Sequence, residues 1–315
     1  MGVKDLFRPQ WKHSDSRVRE AAVKKLTDQA VLADIARTDS ERSVRNAALE
    51  KLTDQMLLAD ITKTANREDL RKAAAGKLID QAILSEIVKT DDSICVREAA
   101  VQKLSDQAML TDVARTDRGW SVRKAAVKKL TDKSVLADVA KTDYYCEVRI
   151  AAIETLTDQA VLADVAKTVD ISEVCLAAIK KLGDQAILAD VAKTAANRQA
   201  RATAVSKLID PTLLAKIAET DEWDWVRQAA VENPHFTDQT LLAEIARTGS
   251  LRIWHENLGH DMGGGYILDG PAQCALSKIT DKILLKNIVK TAKSKEVSEA
   301  AARRLSDLRR SGTGS

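Results

Sequence analysis

The stretch LTDKSVLADVAKTDYYCEVRIAAIET, residues 130–155, decides the fold because the chain repeats its pattern many times. The motif Leu-x-Asp recurs every 26 residues, with its leucines at Leu26, Leu52, Leu78, Leu104, Leu130, Leu156, Leu182 and Leu208. The interval lengthens before Phe236 and again before Ile279, and it returns to 26 residues at Leu305. Self-similarity at a fixed period indicates a repeat architecture.

Each repeat begins with a helix start signal when its Leu is counted as position 1. Position 3 is aspartate in every full repeat from Asp28 to Asp281, and aspartate is a favoured N-cap because its carboxylate accepts the free backbone N–H groups of the first turn. Pro211 directly follows Asp210, and proline suits the first helical position. The apolar positions 6, 7, 10 and 11 then lie on one helical face. We call this predicted helix the A helix.

A second predicted helix, the B helix, begins near position 17. Val148, Ala151, Ala152 and Leu156 follow the spacing i, i+3, i+4, i+8 of one helical face. Two such short helices are unstable alone but can bury their apolar faces by stacking on neighbouring repeats. The sequence therefore predicts an all-α fold, an α-α superhelical solenoid of about ten 26-residue two-helix repeats.

The solenoid is expected to form one domain over residues 1–310. Residues 1–25 are interpreted as an N-terminal cap and half repeat, in which Leu6, Phe7 and Trp11 cover the first repeat. The ninth repeat carries a loop insertion at residues 249–270, and residues 311–315 are read as a flexible tail.

Composition excludes several classes of protein. The formal net charge of +3 is too balanced to indicate nucleic-acid binding by itself. The four cysteines show no CxxC spacing, which argues against a zinc ribbon or a disulfide framework. The sequence has no long apolar run typical of a membrane span or signal peptide, so we expect a soluble cytoplasmic protein without membrane contact.

Two segments resemble known helical repeats. The pattern TDxxxxVRxAAxxKL at residues 116–130 resembles a HEAT-like repeat of the kind also seen in phycobilisome-lyase-type arrays. The segment VRQAAVENPHFTDQTLLAEIA at residues 226–246 resembles the leucine-rich-repeat variant, another short helical repeat. The resemblance covers roughly residues 12–310 and implies an α-solenoid whose B helices line its concave surface.

The resemblance also implies a ladder of ion pairs between repeats, formed by aspartate at position 14 and arginine at position 20. One repeat has Val169 and Cys175 at these two positions. We interpret this double replacement as the loss of both partners of one pair, which costs less than leaving one buried charge alone. The arginines are therefore interpreted as structural and not as catalytic.

Positions 14–18, which we call the free window, vary from repeat to repeat. The recurring residues outside this window, which we call the frame, change little. Aromatic residues, which make up only 3% of the chain, concentrate there. Exposed Trp and Tyr are typical anchors of protein interfaces. We therefore predict that these aromatic residues bind a partner, with two isoleucines as lesser contributors: Trp120, Tyr144, Tyr145, Trp223, Trp225, Ile94 and Ile150. The alternative is that each ring only covers the edge of the next repeat.

The predicted function is a non-catalytic scaffold or recognition module for a protein or peptide, with no cofactor. The net acidic free window favours a polar or basic partner and disfavours nucleic acid. A nucleic-acid-binding HEAT-like protein is the alternative if the arginines at position 20 are unpaired. A second alternative is an enzyme or metal site in the insertion, formed by His255, Glu256, His260 and Asp261, although their spacing matches no established metal motif.

Overall fold

The computed structural model describes residues 9–248, 251–253, 266–268 and 270–311. Helices dominate these residues, and they confirm the predicted all-α solenoid of helix pairs. A short 3-10 helix, Gln10–Lys12, precedes the first α-helix. The α-helices are α1 (Ser16–Val23), α2 (Gln29–Thr38), α3 (Arg42–Lys51), α4 (Gln55–Thr64), α5 (Glu68–Ala75), α6 (Gln81–Thr90), α7 (Ile94–Lys103), α8 (Gln107–Thr116), α9 (Trp120–Val127), α10 (Lys133–Thr142), α11 (Cys146–Thr155), α12 (Gln159–Thr168), α13 (Ser172–Lys181), α14 (Gln185–Thr194), α15 (Arg198–Ser206), α16 (Pro211–Thr220), α17 (Asp224–Glu232), α18 (Gln239–Thr248), α19 (Gly270–Lys278), α20 (Lys282–Thr291) and α21 (Lys295–Ser311).

The even-numbered helices are the A helices, and each starts at the predicted aspartate. In α8, the Asp106 carboxylate accepts hydrogen bonds from the backbone N–H groups of Ala108 and Met109 at 2.9 and 3.3 Å. The same cap is present at the start of every A helix from α2 to α20. Because a side-chain cap satisfies otherwise free N–H groups, the repeated aspartate fixes where each A helix begins.

Each A helix ends at the threonine of position 13. The Thr116 hydroxyl donates to the carbonyl of Asp112 at 2.8 Å, and the extended residue Asp117 donates its N–H to the carbonyl of Val113. The chain then turns into the B helix α9. Local hydrogen bonds thus close the A helix before the free window begins.

The core lies between the A and B helices and between successive B helices. Leu104, Leu110, Val122 and Ala126 are all completely buried, and they occupy frame positions 1, 7, 19 and 23. The small alanine side chains of the B helices allow neighbouring helices to approach closely. Helix contacts group the chain into two compact halves, residues 1–155 and 156–315, and in the N-terminal half α5, α7, α9 and α11 pack side by side.

The ends and the insertion depart from the regular pattern. Trp11 lies in the 3-10 helix, which packs on α1, and is half-buried, whereas Leu6 and Phe7 lie outside the described residues. Between α18 and α19, strand β1 (Leu251–Ile253) pairs antiparallel with strand β2 (Tyr266–Leu268). α21 continues to Ser311, and the rest of the predicted tail lies outside the described residues.

Candidate partner-binding surface

All five aromatic residues predicted to bind a partner lie in a turn before a B helix or in its first residues. Their side chains are exposed, from 39% for Trp120 to 87% for Tyr144. Ile94 is also exposed, whereas Ile150 is half-buried in α11. The side chains divide into two groups, one in each half of the chain.

The first group is a cluster of three rings in contact. Tyr145 stacks on Trp120 with their ring centroids 6.1 Å apart. Tyr144 meets Tyr145 edge to face, with their centroids 5.1 Å apart. Both arrangements are favourable for aromatic pairs, which avoid perfect face-to-face contact. The rings thus form one continuous surface that spans two successive repeats.

Ile94 extends this surface into a third repeat. A Cβ atom added at Gly119 would lie 3.3 Å from Cγ1 of Ile94. The Ile94 side chain therefore packs against the residue that immediately precedes Trp120. We call Ile94, Trp120, Tyr144 and Tyr145 the first aromatic patch.

The regular stacking of B helices explains why these residues meet. Ile94 and Trp120 both occupy position 17, the first residue of α7 and α9. Because α7, α9 and α11 pack side by side, the same position in successive repeats comes to lie along one edge. The sequence identifies the variable positions, but the contacts between them depend on this packing.

Two cations lie over the rings of the first aromatic patch. The guanidinium carbon of Arg123 is 5.5 Å from the centroid of Tyr145, and Nζ of Lys124 is 5.8 Å from the centroid of Trp120. A cation over a ring face is attracted by the ring quadrupole. These contacts favour one orientation of the Tyr145 ring and one of the Trp120 ring, which lowers the ordering cost of binding a partner.

A groove of about 410 Å³ adjoins the first aromatic patch on the B-helix surface. Trp120 and Lys124 of α9, with Lys128 directly after this helix, line one side. Glu98 and Gln102 of α7 lie on the other side. The local charge beside Trp120 is therefore positive, in contrast to the acidic character expected for the free window as a whole.

The second aromatic patch, Trp223 and Trp225, lies in the C-terminal half. Trp223 immediately precedes α17, and Trp225 is the second residue of that helix. The guanidinium carbon of Arg198 lies 5.9 Å from the Trp223 centroid. The exposed Glu222 carboxylate pairs with Arg201 at 2.9 Å. This patch combines two exposed indoles with an accessible acid.

The predicted ladder of ion pairs is present. Nε and Nη2 of Arg97 each donate to one carboxylate oxygen of Asp117 at 2.9 Å. Arg19–Asp39, Arg71–Asp91 and Arg123–Asp143 have the same geometry, whereas Arg201 binds Asp221 through Nη2 alone and its Nε donates to the carbonyl of Ala192 at 3.2 Å. These five aspartates belong to the free window, yet each is held in an ion pair with arginine. The accessible surface is consequently less acidic than the sequence of the window indicates.

The register of this ladder corrects the interpretation of Val169 and Cys175. Each arginine pairs with the aspartate 20 residues later, in the following repeat. The position paired with Cys175 is therefore Ala195, so the interpretation of Val169 and Cys175 as the two partners of one lost pair is wrong. Cys175 is buried, and its thiol donates to the carbonyl of Val169 at 2.8 Å. Cys175 stands at the position of the arginine, and Ala195 stands at the position of its aspartate partner. Both charges of this pair, which is one rung of the ladder, are therefore absent.

Glutamine at position 4 links neighbouring repeats, a role that the sequence analysis missed. Nε2 of Gln81 donates to the carbonyl of Lys103 at 3.2 Å, and Oε1 accepts from the N–H of Ser105 at 2.7 Å. Both groups belong to the junction with the next repeat. The same two bonds are made by Gln29, Gln55, Gln107, Gln159, Gln185 and Gln239. The recurrence of glutamine at position 4 was the signal for this role.

Lysine at position 26 forms a second link that the sequence analysis missed. Nζ of Lys207 donates to the carbonyls of Ile179, Lys180 and Leu182 at 3.0, 3.1 and 2.5 Å. These carbonyls lie at the end of the preceding B helix, where no intrahelical donor remains. Burial lowers the pKa of Lys207. The lysine therefore acts as a helix C-cap supplied by the next repeat.

The residues proposed for a metal or catalytic site in the insertion, His255, Glu256, His260 and Asp261, lie outside the described residues. Within the described ranges, no group of three or more His, Cys, Asp or Glu side chains is arranged to hold a metal ion. Burial and a hydrogen bond with Glu232 raise the pKa of the Cys274 thiol to about 12. This thiol is therefore protonated at neutral pH and is a poor nucleophile.

None of the helices in the described part of the chain has the length and apolar character that a membrane span requires. No protein-family model matches the sequence, and no curated protein matches it. Among solved structures, the chain is similar to the X-ray structure of the Escherichia coli protein YibA, with 15% identity, a TM-score of 0.34, and coverage of 94% of this chain and 98% of that one. A computationally designed self-assembling cyclic homo-oligomer shows 12% identity and a TM-score of 0.12, with 92% and 91% coverage.

Proposed function

We propose that this chain is a non-catalytic, cytoplasmic HEAT-like scaffold that binds a protein or peptide through the two aromatic patches. The observation that carries the proposal is the first aromatic patch. Its three contacting rings and Ile94 form an exposed apolar surface across three successive repeats. Large aromatic side chains in such a setting are typical interface anchors.

Burial in the core explains the leucines of the frame but does not explain the first aromatic patch. Leucines of the frame, such as Leu104 and Leu110, are completely buried. Edge coverage of the next repeat explains only the contact between Tyr145 and Trp120, because Tyr144 remains 87% exposed. Rings already oriented by Arg123 and Lys124 lose little freedom when a partner binds.

The partner is proposed to present apolar side chains to both patches. At the second aromatic patch, the exposed Glu222 favours a basic or polar neighbour on the partner. At the first aromatic patch, Lys124 and Lys128 favour an acidic neighbour. A polypeptide with apolar anchors and charges of both signs fits this arrangement better than a uniformly charged ligand.

Nucleic acid is the second candidate, and one observation favours it. The groove beside Trp120 combines an aromatic ring with Lys124 and Lys128, a combination used to bind single strands. The arginines at position 20 give no further support, because Arg97 and Arg123 are buried and bonded to aspartates. Two lysines supply few of the phosphate contacts from which such proteins gain affinity.

The test separates the two patches. A photo-crosslinking amino acid at position 144 identifies the bound polypeptide, and the purified partner is then titrated against two variants. The first carries W120A, Y144A and Y145A, and the second carries W223A and W225A. The control carries I79A and I209A, which remove exposed apolar side chains outside the free window. We expect both patch variants to bind more weakly while the control binds like the parent.

Three results would overturn the proposal. The first is equal affinity for the parent and both patch variants. The second is tight binding to single-stranded or duplex DNA that falls steeply as salt rises. The third is an enzymatic activity that disappears when residues 252–268 are deleted.

A further inference from the structure

Arg45 has the same orientation as four paired arginines of the ladder, Arg19, Arg71, Arg97 and Arg123. It is 5% exposed, and its Nη1 donates to the carbonyls of Asp39 and Ser40 at 2.9 and 2.8 Å. Nη1 of Arg97 donates to the carbonyls of Asp91 and Asp92 at 3.0 Å each. These backbone contacts hold both guanidinium groups in equivalent places in their repeats.

The opposite edge of the Arg45 guanidinium lacks the carboxylate that its counterparts have. In Arg97 this edge, Nε and Nη2, binds Asp117. The residue 20 positions after Arg45 is Ala65. Within residues 9–248, no carboxylate forms a salt bridge with Arg45, and its Nε and Nη2 donate to no acceptor. A buried cation therefore directs two parallel N–H groups to the place where other rungs have a carboxylate.

Arg149 shows that this arrangement is not the default for an arginine without a carboxylate partner. The residue 20 positions after Arg149 is Val169. Arg149 has turned so that Nε donates to the carbonyl of Ala140 at 2.9 Å and Nη2 donates to that of Lys141. Arg45 instead keeps the orientation of Arg97 and Arg123, so its Nε–Nη2 edge is ready for an acceptor.

We propose that the Nε–Nη2 edge of Arg45 binds a carboxylate group from outside the chain. The two parallel N–H groups match the two oxygens of a carboxylate, which makes a bidentate, charge-assisted contact. A monatomic anion such as chloride has only one acceptor atom and cannot reproduce that geometry.

The surroundings of Arg45 allow such a ligand to enter. An aspartate at position 65 would place its carboxylate beside the Nε–Nη2 edge of Arg45, but Ala65 has no such group. The Ala65 side chain is half-buried. The backbones of α3 and α5 also approach each other less closely than those of α7 and α9. We call the place beside Ala65, where the other paired rungs have an aspartate carboxylate, the notch; a small carboxylate, or an acidic side chain at the tip of a bound peptide, supplies the group that is missing there. Both sources offer the same group to Arg45.

The experiment uses sodium formate as the probe and sodium chloride at equal ionic strength as the control. The readout is the ¹⁵N resonance of Arg45 Nε, identified by its loss in R45K. We expect a saturable shift with formate and none with chloride. In the A65D variant, which supplies the carboxylate from within the chain, the half-saturating formate concentration should rise at least tenfold.

A second variant creates the same notch elsewhere. D117A removes the carboxylate from Arg97, whose Nη1 contacts are equivalent to those of Arg45. It should therefore gain a formate-dependent shift at Arg97 Nε that the parent lacks. The proposal is overturned if formate produces no saturable shift in the parent, or if A65D responds at the same concentrations as the parent.

The source of the carboxylate is distinguished by comparing formate with N-acetyl-aspartyl amide, with N-acetyl-asparaginyl amide as its uncharged control. Saturation at lower concentration by formate indicates a free small anion, and saturation at lower concentration by the aspartyl compound indicates an acidic side chain. Either result supports the site, and equal responses to the aspartyl and asparaginyl compounds argue against it. Arg45 belongs to neither aromatic patch, so this test and the partner-binding test fail independently.

Discussion

The guanidinium of Arg97 and the carboxylate of Asp117, the residue 20 positions later, form two parallel hydrogen bonds of 2.9 Å across the junction of two repeats. Their side chains are only 3% and 7% exposed. Within the same repeat, the backbone carbonyl of Asp117 accepts from Nη1 of Arg123 at 2.8 Å, and Arg123 in turn pairs with Asp143 of the next repeat. From Arg71 to Asp143 the ladder is consequently a chain of alternating arginine and aspartate residues, in which a buried charge pair links each repeat to the next.

Removal of one member of this pair should be costly. In D117A the buried Arg97 keeps its charge without a counterion, and we expect the free energy of unfolding to fall by about 3–5 kcal/mol. Guanidinium chloride unfolding followed by circular dichroism measures this change. The double variant R97C/D117A reproduces the Cys175–Ala195 rung and should recover most of the loss.

The matched control for D117A is the ion pair between Nζ of Lys63 and Oε2 of Glu86, which are 2.6 Å apart. The side chains of this pair are 43% and 53% exposed. Exposed pairs contribute little, so E86A should change the free energy of unfolding by less than about 1 kcal/mol. Equal effects of D117A and E86A would show that burial does not determine the strength of the ladder.

The ladder should also make stability depend on pH in the acid range. Burial by itself raises the pKa of the Asp39 carboxyl, but the hydrogen bonds from Arg19 and from the backbone N–H of Glu41, with the charge of Arg19, outweigh it and lower the pKa. The pKa of Asp39 is therefore lower in the folded than in the unfolded chain. The stabilisation from this group is complete above the unfolded pKa of about 4 and is lost as pH falls through the lower folded pKa.

The variant D39N isolates that contribution. At neutral pH it should be less stable than the parent, and the difference should shrink as pH is lowered below about 4. Unfolding midpoints of the two proteins at several pH values measure the difference. A difference that stays constant from neutral pH to pH 2 would contradict the assignment.

The glutamine link between repeats should be worth less than the buried ion pair. Q81A removes the bonds to the Lys103 carbonyl and the Ser105 N–H, and we expect a loss of about 1–2 kcal/mol in the free energy of unfolding. Gln102, an exposed residue of α7, is the control, because Q102A should change stability by less than about 0.5 kcal/mol. If Q81A were as mild as Q102A, the glutamine link would carry no stability.

The aromatic patches should affect binding and leave folding nearly unchanged. The variant W120A/Y144A/Y145A should raise the Kd for the partner at least tenfold, since central aromatic anchors contribute about 2 kcal/mol or more each. Its unfolding midpoint should stay close to that of the parent because the rings lie outside the core. Isothermal titration and thermal unfolding of the same samples test both statements, and a large loss of stability with unchanged affinity would assign the rings to the fold.

The sequence was sufficient to predict the helices and their starting points. Asp106 and its counterparts cap the A helices through N–H groups two and three residues away, and such local contacts follow directly from sequence spacing. The burial of Leu104 and Ala126 also follows from the periodicity of one amphipathic helix. Comparison between repeats further separated the free window from the frame, and the structure places its aromatic residues at the surface.

Contacts between repeats were decided only by the tertiary structure. The sequence indicated that arginine and aspartate form pairs, but the stacking of the helices determines that Arg97 pairs with Asp117 and Cys175 corresponds to Ala195. The same stacking brings Ile94, Trp120 and Tyr145 into one patch and directs Gln81 to the next junction. These partners lie 20 or more residues apart along the chain, so their meeting depends on the rotation and translation from one repeat to the next. Helical periodicity specifies which face of each helix is buried, but it does not specify that relation between repeats.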